Sequence, residues 1–116
     1  MANASGHPAM DQVGGMLLEE AFVQAGFWVG QLRTSAGSTG GWHHHGDHET
    51  YTYLAEGKAA FEWGTQPRDR AELKAGDFIH IPPRQIHRES NPGTTPNLLI
   101  VFRKGEGPKV VLTGPP

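Results

Sequence analysis

Four of the chain's seven histidines fall between residues 43 and 48, in the stretch WHHHGDHETYTYLAEG that runs from Trp42 to Gly57. Neutral imidazole is a ligand for several divalent transition ions, so metal binding is the first chemistry to consider. On an extended segment, side chains at i and i+2 share a face, which projects His43 and His45 together and Trp42 and His44 the opposite way. Two imidazoles on one strand face are a ready chelating pair. Glu49, four residues beyond His45 across the Gly46-Asp47 bend, could add a carboxylate. A further histidine downstream, His87 or His80, could complete a site with open positions from a neighbouring strand. The competing reading is a solvated loop rich in polar side chains, and spacing alone leaves the two in balance.

The elements that must hold these side chains follow from composition and pattern. A chain of 116 residues makes one domain with a single core. Ten basic and twelve acidic residues give a net charge of −2 with no basic stripe, which argues against nucleic acid or an anionic membrane as partner. Cysteine is absent, which excludes disulfides, thiolate metal sites and cysteine nucleophiles. No apolar run approaches the ~20 residues of a membrane span, and the start MANASGHPAM lacks the marks of a signal peptide, so the expected location is cytoplasmic. Sixteen glycines and nine prolines are spread along the chain, which suits short strands joined by tight turns better than helices.

Residues 1–15 read as a flexible N-terminal arm and 16–116 as one β-domain. One helical turn is expected at Leu17–Ala21, then a strand from Phe27, in which Phe27, Val29, Gln31 and Arg33 alternate with Trp28, Gly30 and Leu32. TYTYLA (50–55) and KAAFEW (58–63) flank the Glu56-Gly57 turn as a hairpin. FIHIP (78–82), IHRES (86–90) and LLIVFRK (98–104) complete the central strands, and KVVL (109–112) makes a last edge strand. Eight or nine short strands with turns between them signal a sandwich or barrel, an architecture that also disposes of unpaired edges.

A second stretch bears on the histidines. GDFIHIPPRQIHRESN (76–91) places Gly76, Pro82, His87 and Asn91 in the spacing Gly-x5-Pro-x-Gly-x2-His-x3-Asn, with Arg84 in the second glycine's place. This resembles the second motif of the cupin superfamily. The first motif, Gly-x5-His-x-His-x(3 or 4)-Glu-x6-Gly, is similar to residues 37–57 read with His43, His45 and Gly57. The resemblance implies an all-β double-stranded β-helix, or jelly-roll barrel, and a mononuclear divalent metal (Fe, Mn, Ni or Zn) on His43, His45 and His87.

The fourth ligand position is ambiguous. Counting forward from His45 selects Glu49, whereas counting back from Gly57 selects Thr50, and both hold only if a bulge adds a residue. A carboxylate beside a divalent cation gains more than a hydroxyl does, which favours Glu49. A three-His site with Thr50 in the slot resembles instead the iron cupins that oxidise β-diketones or thiols.

Around the site, His44 is expected to face away, His48 to sit in the bend, and Asp47 either to orient a ligand imidazole or to be solvated. His80 is expected in a hydrogen-bonded pocket or core position. The large side chains of the central strands, Tyr51, Tyr53, Phe78, Leu98, Ile100 and Phe102 among them, are expected mostly in the core. Tyr51, Tyr53, Phe78, His80 and Arg33 are the candidate substrate contacts. No Ser-His-Asp arrangement or phosphate-cradling loop is visible. Two functions follow: an enzyme with dioxygenase-type or Lewis-acid isomerase or lyase chemistry on a small molecule, or a non-catalytic module that binds a sugar or metabolite. The resemblance also implies a homodimer, with residues 16–35 at the interface.

Overall fold

The structure, a computed structural model, describes residues 1–4, the backbone of residues 7–13, and residues 15–116. Its elements in chain order are strands β1 (His7–Val13), β2 (Met16–Gln24), β3 (Phe27–Thr34), β4 (His43–His44), β5 (Glu49–Glu56) and β6 (Lys58–Trp63), followed by β7 (Asp69–Lys74), β8 (Phe78–Ile81), β9 (His87–Ser90), β10 (Asn97–Lys104) and β11 (Val111–Leu112). There is no helix among the described residues, so none crosses a membrane. Two expectations change here. The arm expected over residues 1–15 contains β1, paired antiparallel with β2, while residues 5, 6 and 14 lie outside the described residues. The helical turn expected at Leu17–Ala21 is part of β2, because ladder bonds to β3 satisfy the backbone along a hairpin that a lone helical turn would leave open.

The strands form two antiparallel sheets, ordered β1-β2-β3-β10-β5-β8 and β11-β4-β9-β6-β7. They pack face to face as a double-stranded β-helix. Alternation along each strand decides which side chains enter: Trp28 and Leu32 from β3, Leu54 from β5, Phe61 from β6, and Leu99 and Val101 from β10 are buried in one core cluster. The expectation that the large side chains of the central strands lie mostly in the core fails in β5, β8 and β10. Tyr51, Phe78 and Phe102 are exposed, and Tyr53, Leu98 and Ile100 are half-buried, because the alternate residues of these strands, Thr50, Thr52, Leu54, Ile81, Leu99, Val101 and Arg103 among them, take the inward positions.

Turns and polar staples close the frame. Gly57 joins β5 to β6 at a φ of 83°, and a side chain there would meet the Asn97 backbone at 3.1 Å, so both conformation and space call for glycine. Arg84, in the place of a motif glycine, takes a φ of 60° in the left-handed region. Asn91 is fully buried and ties three segments together. Its Nδ2 donates to the carbonyls of Thr34 (3.0 Å) and Thr95 (2.8 Å), and its Oδ1 accepts from the Gly93 N–H (2.9 Å).

Truncation of Asn91 leaves two carbonyls and one N–H without their side-chain partner in a dry site. Asn91→Ala is therefore expected to lower unfolding free energy by about 2–3 kcal/mol. Urea denaturation with an unchanged m-value is the check, and a loss under about 0.5 kcal/mol would show that water replaces the staple.

Candidate metal centre

β4 lies between β9 and β11, and its register with β9 sets His43 opposite His87. His45 follows on the same face, one residue past the end of β4. The three rings meet with centroid separations of 4.3 to 4.9 Å, and the ligand atoms they offer all lie within 4.8 Å of one another. Each ring is also oriented. The Nδ1–H of His43 donates to the Gly41 carbonyl (2.9 Å), that of His45 to Lys109 (2.8 Å) and that of His87 to Gln85 (2.8 Å). A carbonyl only accepts, so these contacts place the proton on Nδ1 and leave Nε2 with a free lone pair. The His87 Nε2 is buried and has no hydrogen-bond partner. Burial, with smaller contributions from Arg103 and the neighbouring histidines, lowers the His45 pKa to about 2. Burial first, and then His43, lowers that of His87 to about 4. Both are therefore neutral at physiological pH, the state in which imidazole binds a metal. This three-His group could hold a metal ion, and the orphaned Nε2 fits one.

Glu49, expected as the fourth ligand, is not brought to this group. Its side chain is on the outer face of β5, hydrogen-bonded to His80 Nε2. The inward residue is Thr50, 1% exposed, whose Oγ1 is buried without a partner. β5 does carry a one-residue irregularity, for Leu98 pairs with Glu56 and Leu99 with Leu54, leaving Ala55 as the extra residue. That bulge lies toward Gly57, beyond the site, and so leaves Glu49 facing outward.

The other candidates separate by strand face. Tyr51 and Phe78 are exposed, Tyr53 is packed against Phe78, and Arg33 is bound to Glu19 at 2.8 Å, all outside the barrel. These four candidate substrate contacts do not meet the histidines. His80 is outward too, stacked on Tyr51, rather than in the core. It does border a cavity of about 200 Å³ that reaches His87, with Trp63, Ile79 and Gln85 in its wall. His44 accepts the Gly46 N–H (2.9 Å), and the buried His48 donates from Nδ1 to the His45 carbonyl (2.8 Å). Asp47 orients no imidazole; it pairs with Arg84 at 2.7 Å. The Arg84 N–H also donates to the Gly46 carbonyl, so the two motif loops brace each other.

A family model described as the cupin domain matches residues 32–103, more than half of the chain. The chain belongs to the cupin family. No curated protein matches this cupin in sequence. Among solved structures, an oxalate oxidase in complex with glycolate superposes with a TM-score of 0.76 at 16% identity, over 97% of this chain and 62% of its own. An uncharacterized conserved protein with a double-stranded β-helix domain from Klebsiella pneumoniae gives 0.75 at 19%, over 89% of this chain and 88% of its own. A deletion mutant of the oxalate decarboxylase of Bacillus subtilis gives 0.76 at 18%, over 91% of this chain and 30% of its own. This cupin thus spans 62% of the oxidase and less of the decarboxylase, and the likeness is one of fold.

Two further residues of this cupin share a cavity with His43 and His45, and the reading of the sequence passed over both. Glu89 lies two residues past His87 on β9, and Arg103 two past Val101 on β10. Alternation was the available signal, since each sits on the inward phase of its own strand. Burial raises the Glu89 pKa, against the opposing pull of His43 and Arg103. Burial lowers that of Arg103 to about 10, against Glu89, and leaves it charged at neutral pH.

The buried histidines make the metal-free cupin sensitive to acid. With folded pKa values of about 4 and 2 against an unfolded 6.5, the unfolded chain binds protons that the folded chain refuses. Stability from these groups is complete above pH 6.5 and falls as pH drops below it, down to the folded values. Between pH 7.5 and 5.5 the chelator-treated protein is expected to lose about 3 kcal/mol, read from urea midpoints. A His45→Gln/His87→Gln variant is expected to show a flatter profile.

Proposed function

We propose that this cupin is a cytoplasmic metal-dependent enzyme acting on a small oxygenated molecule, with one divalent transition ion (Fe, Mn, Ni or Zn) held by His43, His45 and His87. The observation that carries this reading is the tethering of all three Nδ1–H groups to backbone carbonyls, which turns three free Nε2 lone pairs toward one point. A bound ion would supply Lewis-acid chemistry for isomerisation or lyase reactions or, if iron, dioxygen activation. The protein's own part is to orient the imidazoles, keep those of His45 and His87 neutral by burial and leave positions open for a substrate. Three neutral ligands leave the ion's double charge uncompensated, a stronger electrophile than a centre with a carboxylate ligand. Glu89, buried beside His43, is placed to hold or pass a proton in the same cavity. The neighbours named oxalate oxidase and oxalate decarboxylase lend support, as enzymes built on this fold. Against a purely ligand-binding module, the presence of an acid–base group and open metal positions in one cavity favours catalysis.

Elemental analysis of protein purified without added metal tests the centre. The wild type, Glu49→Ala and Thr50→Ala are expected near one ion per chain, and His87→Ala and His43→Ala near none. Full occupancy in His87→Ala would remove the site as drawn. A screen of oxygen uptake and substrate loss over β-diketones, thiols and small hydroxy and keto acids then asks whether the loaded protein turns over.

The reading includes a homodimer. Phe78 is 75% exposed and Tyr51 49%, on adjoining strands of one sheet face, with Phe102 beside Tyr51 on the next. An apolar face of this kind suits a second copy of the chain. Phe78→Glu is expected to shift sedimentation from dimer toward monomer at micromolar concentration, and an unchanged coefficient would place the contact elsewhere.

A further inference from the structure

The interior of the barrel holds a cation that no described residue hydrogen-bonds. Arg103 is 5% exposed, and its guanidinium lies over the Trp28 ring at 4.9 Å and borders the cavity that contains His43 and His45. Its Nε and Nη1 are buried and have no hydrogen-bond partner among the described residues. Glu89 is the one carboxylate among the described residues that line the same cavity, and it makes no hydrogen bond to Arg103 Nε or Nη1. Across β10 and β5, Arg103 pairs in register with Thr50, whose buried hydroxyl is also unpartnered. A buried guanidinium with open donors is costly, and removing the cost requires an anion that can accept from it.

The cavity indicates which anion. Its volume is about 100 Å³, several times the ~15 Å³ that a single water needs. Met16, Leu18, Leu32 and Val110 give it an apolar wall suited to a short carbon chain. One arginine matches one negative charge, and Glu89 in the same wall disfavours a dianion such as phosphate more than a monoanion. The planar fork of the guanidinium matches the two oxygens of a carboxylate.

From these features we infer that Arg103 is the substrate-binding residue of this cupin and that the substrate class is a small carboxylate, held by its anionic end on Arg103 beside the histidine group. This rests on the reading of the cavity as a substrate site, and it names what that site takes. Arginine at this inward position of β10 has a binding role, with Thr50 placed to add a hydroxyl contact and the apolar wall to take the rest of the molecule.

Calorimetric titration with acetate tests this, with acetamide as the neutral isostere and sulfate as a tetrahedral dianion. It is run on protein as purified and after chelator treatment, so that a metal cannot account for the binding. The wild type is expected to bind acetate in both states and acetamide at least tenfold more weakly. Arg103→Gln is expected to lose at least tenfold in acetate affinity while its urea midpoint stays level or rises, because an unsatisfied buried cation has been removed. Arg103→Lys keeps the charge without the fork and is expected to fall between the two; it also serves if the glutamine variant does not fold. Acetate affinity in Arg103→Gln or Arg103→Lys within twofold of wild type in the chelated protein would overturn the proposal. So would equal binding of acetate and acetamide, or tighter binding of sulfate. Metal content read on the same samples separates the two readings: Arg103-dependent acetate binding by a protein that never carries metal would remove the metal centre and leave the carboxylate site standing.

Discussion

The pairing of β4 with β9 is the contact on which the site depends. β4 is two residues long, held by β9 on one side and β11 on the other, yet its register decides that His43 faces His87. A shift of one residue would turn His44 inward and His43 and His45 out, because side chains alternate along a strand. The register is defended by contacts beyond the strand itself. The Arg84–Asp47 ion pair and the Arg84-to-Gly46 hydrogen bond join the loops that follow β4 and precede β9. Each imidazole is then held by a backbone carbonyl, two of them in the loops around β4 and β9 and one at Lys109, just before β11.

Around that register the fold keeps polar groups where a protein built only for stability would not. The His87 Nε2, the Thr50 hydroxyl and two nitrogens of Arg103 are buried without partners. Such atoms cost free energy in the folded state, and those of His87 and Arg103 fit the ion and the anion proposed for the interior. The stability comes from elsewhere: the apolar cluster of Trp28, Leu54, Phe61 and Leu99, and the fully bonded side chain of Asn91. Buried neutral histidines beside a buried arginine give the cavity a positive character that loading with a divalent ion would strengthen.

The outer surface shows a different division of labour. The large sheet turns aromatic side chains outward at Tyr51, Phe78 and Phe102, while Thr50, Thr52, Leu99, Val101 and Arg103 occupy its inner face. Hydrophobic size is therefore a poor guide to the interior here, because large side chains also stand on the outer face of this sheet. Assigning the aromatics to the inside put Tyr51, Tyr53 and Phe78 among the substrate contacts. It also drew attention away from the small and charged residues that line the cavity.

The all-β class, the turn at Gly57 and the sharing of one face by His43 and His45 were legible in the sequence, because turn chemistry and strand periodicity are local properties. The hairpin expected around that turn does not form, since β5 and β6 belong to different sheets and pair with other strands. Tertiary structure alone could choose between Glu49 and Thr50, since both counts fit the motif spacing and only the pairing of β5 with β10 and β8 decides which residue points inward. It alone could bring Arg103 to the histidines, because β10 belongs to the other sheet, whereas Glu89 stands two residues past His87 on the same strand. And it alone could show that His45 and His87 are neutral and that all three imidazoles are aimed, because desolvation and a hydrogen bond to a backbone carbonyl are properties of the packed barrel.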